Sequence, residues 1–154
     1  MNLQKWLYRG GHPNRIARLL DRITARIYAR GASPDYLVAL EVPGRQSGKT
    51  IRFPLVMVVV EGERYLVSML GEHTNWVRNV RAAKGQAVLQ HGRREEVSLE
   101  ELPADQRAPV LQEYLQRAPN ARVHFPLSPD APLADFERIA PGFPVFRVTS
   151  AHNE

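Results

Sequence analysis

The run Leu55-Val56-Met57-Val58-Val59-Val60 constrains the fold of this chain more than any other feature. Six consecutive apolar residues leave no polar face for water. The segment therefore reads as a central strand covered on both sides. Arg52 to Val60 forms that strand in full, Glu61-Gly62-Glu63 makes a tight turn, and Arg64 to Leu70 returns beside it. So short a connection requires the two strands to be antiparallel. Tyr36 to Val42 precedes them as a first strand, ended by Pro43-Gly44.

The remaining periodicity extends this pattern. Thr74 to Ala83 predicts a short helix, capped by Thr74 or Asn75, with Trp76, Val77 and Val80 toward the core. Gln86 to Gln90 and Arg94 to Leu102 form a second hairpin about His91-Gly92-Arg93. Asp105 to Arg117 is helical, and Pro109 fits the first turn, so this helix starts late. The proline-rich stretch from Pro119 to Gly142 holds a helical turn at Leu133 to Ile139, and Phe143 to Thr149 is the last strand. Near the start, Pro13 to Tyr28 carries an apolar stripe of Ile16, Leu19, Leu20, Ile23 and Ile27, with Arg15, Arg18, Arg22 and Arg26 around it. Such a helix packs across a sheet or lies on an acidic membrane surface.

The expected architecture is mainly β with helices outside, an α+β barrel of about six mostly antiparallel strands. Residues 1–34 form an N-terminal helical segment on or near the barrel, 35–150 the barrel domain, and 151–154 a frayed tail. The lack of βαβ alternation disfavours a doubly wound dinucleotide fold.

The 154 residues contain no cysteine, which excludes disulfides, thiolate metal sites and a cysteine nucleophile. The five histidines are scattered without a metal-ligand spacing, so no metal is expected. A formal charge of +5 attracts anions in general. No aromatic-basic stripe or helix-turn-helix pattern points that charge at nucleic acid. The opening residues lack the apolar segment of a signal peptide, and no stretch is long enough to span a bilayer. A cytoplasmic address follows, with contact to the inner membrane face open to the basic N-terminal helix.

Gly44-Arg45-Gln46-Ser47-Gly48-Lys49 joins the first two strands. It is no phosphate loop of the nucleotide triphosphatases, because Gly48 follows Gly44 one position too early. Arg45 and Lys49 are placed to meet a phosphate or carboxylate, Ser47 adds a hydroxyl, and Gly48 opens the backbone N–H groups to an anion. Arg52 emerges at the strand start, and Pro54 removes a ladder donor where the strand faces a ligand. A plain solvated basic turn is the alternative. Asn75 and Asn79 share a helix face with Trp76 beside them. They either meet a ligand or serve as cap and anchor around a core tryptophan.

Taken in order, the 44–55 run, Gly71 and Asn75-Trp76-Val77-Arg78-Asn79-Val80-Arg81-Ala82 resemble the deazaflavin-dependent nitroreductase family. The resemblance spans roughly Tyr36 to Val148 and implies an FMN-binding split-barrel-like fold. It implies an oxidoreductase that uses the deazaflavin coenzyme F420, whose tail is a phospholactyl-oligoglutamate. By similarity Arg45, Lys49 and Arg52 meet that tail, with Ser47 and Gly48 near its phosphate. Pro54, Met57, Met69 and Gly71 match positions near the ring or its linker, and Asn75, Trp76 and Asn79 close the cofactor-side wall. Tyr114, His124 and Phe125 fall in or near the segment that roofs the acceptor, a quinone, nitroaromatic or activated enone. One departure stands out: Met69 and Leu70 occupy places where family members carry serine and lysine, so a polar lip becomes apolar. The alternatives are an FMN-dependent reductase on the same fold and a non-catalytic cofactor-binding protein; under any of these readings the protein is expected to be a monomer or homodimer.

Overall fold

The computed structural model describes residues 37–118 and 125–151. The predicted N-terminal helix and His124 lie outside these residues. Strands β1 (Leu37–Pro43), β2 (Thr50–Val60) and β3 (Glu63–Val67) are followed by helix α1 (Asn75–Ala82). Strands β4 (Gln86–Gln90) and β5 (Arg94–Glu101), helices α2 (Ala108–Arg117) and α3 (Leu133–Ile139), and strand β6 (Val145–Ser150) complete the order. The six strands close into a barrel in the order β1-β2-β3-β6-β5-β4, and every ladder is antiparallel.

Register decides which side chains fill the barrel, because directly opposed residues share a face. Leu40 lies opposite both Phe53 and Leu89, Met57 opposite Leu66, Leu66 opposite Phe146, and Leu99 opposite Val148. All of these are buried and form the inward face. On β2 the intervening Val56 and Val58 are buried as well, because α2 packs over β2 and β3 from outside. The apolar run is therefore covered on both sides as its composition requires, until Val59 emerges at the strand's end with 40% exposure. Pro109 sits in the first turn of α2, which begins at Ala108 rather than Asp105.

Three boundaries correct the sequence expectation. Strand β3 ends at Val67, not Leu70. Ser68 donates its hydroxyl to Gly71 O at 2.6 Å, and its own N–H turns to Pro144 O, so the chain leaves β2. Short polar side chains of this kind offer the backbone an alternative to the ladder. Thr74 holds the N-cap position of α1 but makes no capping bond. Its hydroxyl lies 3.4 Å from Gly71 O and 3.1 Å from Ser68 Oγ. Asn75 does not cap either, its Oδ1 being taken by Arg45. Ala151, expected to fray, donates its N–H to Glu96 O at 2.9 Å.

Because β3 departs, the β2–β3 ladder runs only from Met57 opposite Leu66 to Val60 opposite Glu63. The earlier half of β2 then has a strand neighbour on one side only, β1. Pro54 lies in that half, where a missing N–H breaks no second ladder. The split between β2 and the 67–70 segment opens the barrel wall.

An ion pair sits on the inward face near the starts of β3 and β5. Arg64 grips Glu95 with two bonds of 2.7 and 3.0 Å, and His91 Nε2 lies 3.0 Å from the same carboxylate. The Arg64 guanidinium bonds hold the Glu95 carboxyl at a pKa of about 2, below its usual 4.5. A folded-state pKa below the unfolded one adds stability above pH 4.5 that is lost as pH falls toward 2. Urea unfolding of wild type and Glu95→Gln across that range is expected to show wild type the more stable at pH 7 and the gap closing toward pH 2. A gap that stays constant with pH would contradict the assignment.

Candidate functional site

The β1–β2 loop is built by its own backbone. Gly44 N–H reaches Lys49 O at 2.8 Å, Gly48 N–H reaches Gly44 O at 2.8 Å, and Lys49 N–H reaches Ser47 Oγ at 3.1 Å. Gly48 has φ +71°, a conformation in which a side chain is strained. The Gly48 N–H itself closes the turn.

Arg45 ties the loop to α1. Its backbone N–H and its Nη1 both donate to Asn79 Oδ1, at 3.2 and 2.8 Å, and its Nη2 donates to Asn75 Oδ1 at 3.1 Å. The two asparagines, one helical turn apart, thus hold one guanidinium between them. Both are buried, Asn79 to 1% exposure. The partners are neutral amides, so the charge of Arg45 meets no carboxylate among the described residues. Asn79 Nδ2 is buried with no partner there. Lys49 is exposed and forms no ion pair among the described residues. Arg52 differs: it lies 3.6 Å from Glu41, which Arg94 also binds at 2.6 Å.

On the same helix Trp76 turns inward, 2% exposed, with its ring centroid 6.3 Å from Phe53 and 5.6 Å from Phe146. It contributes to an apolar slot at the barrel split, lined also by Leu37, Pro54, Val56, Met69, Leu70 and Tyr114. The slot takes in about 410 Å³ counting its open mouth. Tyr114 packs on Phe125 at 6.0 Å, and Phe125 stacks on Phe143 at 4.6 Å.

The structure therefore gathers Pro54, Met69, Leu70, Trp76 and Tyr114 around one opening, with Phe125 behind Tyr114. It joins Arg45, Asn75 and Asn79 in one hydrogen-bonded unit. Met57 does not line the slot; it lies further along β2, inside the barrel opposite Leu66. Gly71, at φ +98°, makes the turn after Leu70, where an added Cβ would lie 3.6 Å from Gly142 O. Leu37, Phe53 and Phe143 were not singled out from sequence. Their only signal was hydrophobicity, which any core residue shares.

The split barrel thus carries an apolar slot, with the cationic β1–β2 loop tied to the helix that lines it. The family description F420H(2)-dependent quinone reductase matches residues 18–125, and the chain belongs to that family. Among solved structures, a reductase dependent on F420-H2 (FDR-A) is 20% identical, with TM-score 0.51 over 74% of this chain and 94% of its own. A domain-swapped dimer is 19% identical, with TM-score 0.52 over 86% of this chain and 98% of its own. A Listeria innocua protein assigned as a pyridoxamine 5′-phosphate oxidase is 13% identical, with TM-score 0.51 over 87% and 94%. Such likenesses show the fold. No curated protein matches the chain.

Replacing Asn79 by alanine leaves the Arg45 backbone N–H and guanidinium short of an acceptor. A buried donor without a partner costs about 1–3 kcal/mol. The expected outcome is a loss of that order in urea unfolding, and a change below about 0.5 kcal/mol would contradict the anchoring role.

Proposed function

We propose that the protein transfers a hydride from reduced coenzyme F420 to an electron-poor acceptor such as a quinone, nitroaromatic or activated enone. The observation that carries this reading is the Arg45–Asn75–Asn79 unit. It joins the cationic loop to the same helix whose Trp76 lines the slot. Family membership supports it independently.

The residues fit the group. Arg45 keeps an uncompensated charge against neutral partners, and Lys49 is unpaired among the described residues. An anionic tail answers both. Arg45 and Lys49 would hold the tail, with Ser47 beside it. Arg52 contributes less, since Glu41 already shares its charge. Pro54, Met69, Leu70 and Trp76 would take the ring, while Gly71 shapes the turn at its edge. When bound, the reduced deazaflavin supplies a hydride, and the chemistry is largely the cofactor's own. The protein's part is to orient ring and acceptor and to exclude water, which this apolar lining does without a charged catalytic group. Met69 and Leu70 give the lip an apolar character suited to lipophilic acceptors. The proposal places the protein in the cytoplasm.

Lys49 is the cleaner test of the loop, because Arg45 also braces the fold. A charge-assisted bond contributes about 1.5–3 kcal/mol, or roughly 10- to 150-fold in affinity. Lys49→Ala is expected to weaken F420 binding within that range with an unchanged melting temperature. Equal affinity in the variant would remove Lys49 from the tail site. Mass spectrometry of ligand retained from a mixture of F420, FMN and FAD is expected to find F420. Retention of FMN alone would assign the cleft to a flavin.

A further inference from the structure

Strand pairing does not set the width of the slot. Among its walls are Pro54 and Val56 on β2, Met69 and Leu70 on the segment after β3, Trp76 on α1 and Tyr114 on α2. Pairing between β2 and β3 stops at Met57 opposite Leu66, so no ladder holds the two edges of the split together. Nor do the two helices rest on one support, since α1 packs on β1 and α2 on β2, β3 and α3.

Glu101, the last residue of β5, joins these separate pieces. Its carboxylate accepts two bonds from Arg81 of α1, at 2.9 Å from Nε and 2.8 Å from Nη2, and a third from Arg107 Nη2 at 3.3 Å. Arg81 also reaches Glu72 at 3.4 Å, on the segment that carries Met69 and Leu70. Arg107 immediately precedes α2, and its carbonyl accepts the Leu111 N–H at 3.0 Å. Its side chain is buried, with Nε donating to Leu102 O at 2.9 Å and Nη1 to Ala140 O at 3.0 Å. Two carboxylates thus meet two guanidiniums. Charges that share partners in this way hold a geometry better than an isolated surface pair. The Arg81 hydrogen bonds keep the Glu101 carboxyl below its usual 4.5, so it stays charged at neutral pH.

We infer that Glu101 is a positioning residue that holds α1 and the 67–72 rim against α2 and so fixes the width of the slot. The inference deepens the proposed function, on which it rests for the ring that the slot takes. A flat ring is held by walls at one spacing. A gap of about 0.5–1 Å already forfeits roughly a quarter to a half of the dispersion attraction. Glu101 touches no ring itself; it acts through Arg81 on the helix that carries Trp76 and through Arg107 on the helix that carries Tyr114.

Spin labels read this spacing directly, because the chain has no native cysteine to compete for them. Arg78 on α1 and Gln116 on α2 are exposed, and Arg78→Cys with Gln116→Cys supplies the labelling sites. Pulsed electron–electron double resonance without ligand is expected to give one narrow distance distribution when Glu101 is present, and a broader or displaced one in Glu101→Ala. Arg81→Ala cuts the link to α1 at a half-exposed side chain and carries the same expectation should Glu101→Ala fail to fold. A broad distribution with Glu101 in place, or one unchanged in a folded variant, would overturn the inference. The second probe is 8-hydroxy-5-deazariboflavin, a ring without phosphate or glutamates, expected to bind roughly two- to tenfold more weakly to either variant. A broadened distribution with no ring binding to wild type counts for Glu101 and against the cofactor reading, whereas ring binding with an unchanged distribution does the reverse.

Discussion

The Arg45 guanidinium, clasped by the side-chain carbonyls of Asn75 and Asn79, is the contact on which the site depends. It fixes a loop of the barrel to a helix outside it, and it does so without neutralising the charge. A carboxylate in place of either asparagine would form a stronger bond but cancel the attraction for an anion. Amide oxygens orient the cation and leave its field intact. The same helix sends Trp76 into the space between Phe53 and Phe146. One short helix therefore sets both the polar and the apolar side of the opening.

The opening itself arises from a local competition. Ser68 satisfies itself on Gly71 O, its N–H turns toward β6, and β3 stops pairing with β2. Had the ladder continued to Leu70, the wall would be closed and Pro54 would interrupt it. Instead the ladder stops where Pro54, Met69 and Leu70 are needed at the rim. Helix α2 covers the outer face of β2 and carries Tyr114 to the far side of the slot.

Much of this was legible in the sequence, for definable reasons. The unbroken run from Leu55 announced a strand covered twice, and Pro109 marked the start of α2, because both signals are local. The Asn75/Asn79 spacing placed two amides on one helix face, though not their partner: Arg45 is thirty or more positions away. The shared claim of Arg52 and Arg94 on Glu41 was invisible for the same reason. Gly48 was read for its freedom, whereas its N–H was committed to Gly44. Met57 matched a family position, and its inward parity became plain only with the register.

A crystal structure of the protein with F420 tests the central claim most directly. The account predicts tail oxygens within hydrogen-bonding distance of Arg45 and Lys49, with the ring at the opening bounded by Pro54, Met69 and Trp76. A ring seated on another face, with the Arg45 loop directed at bulk solvent, would contradict it.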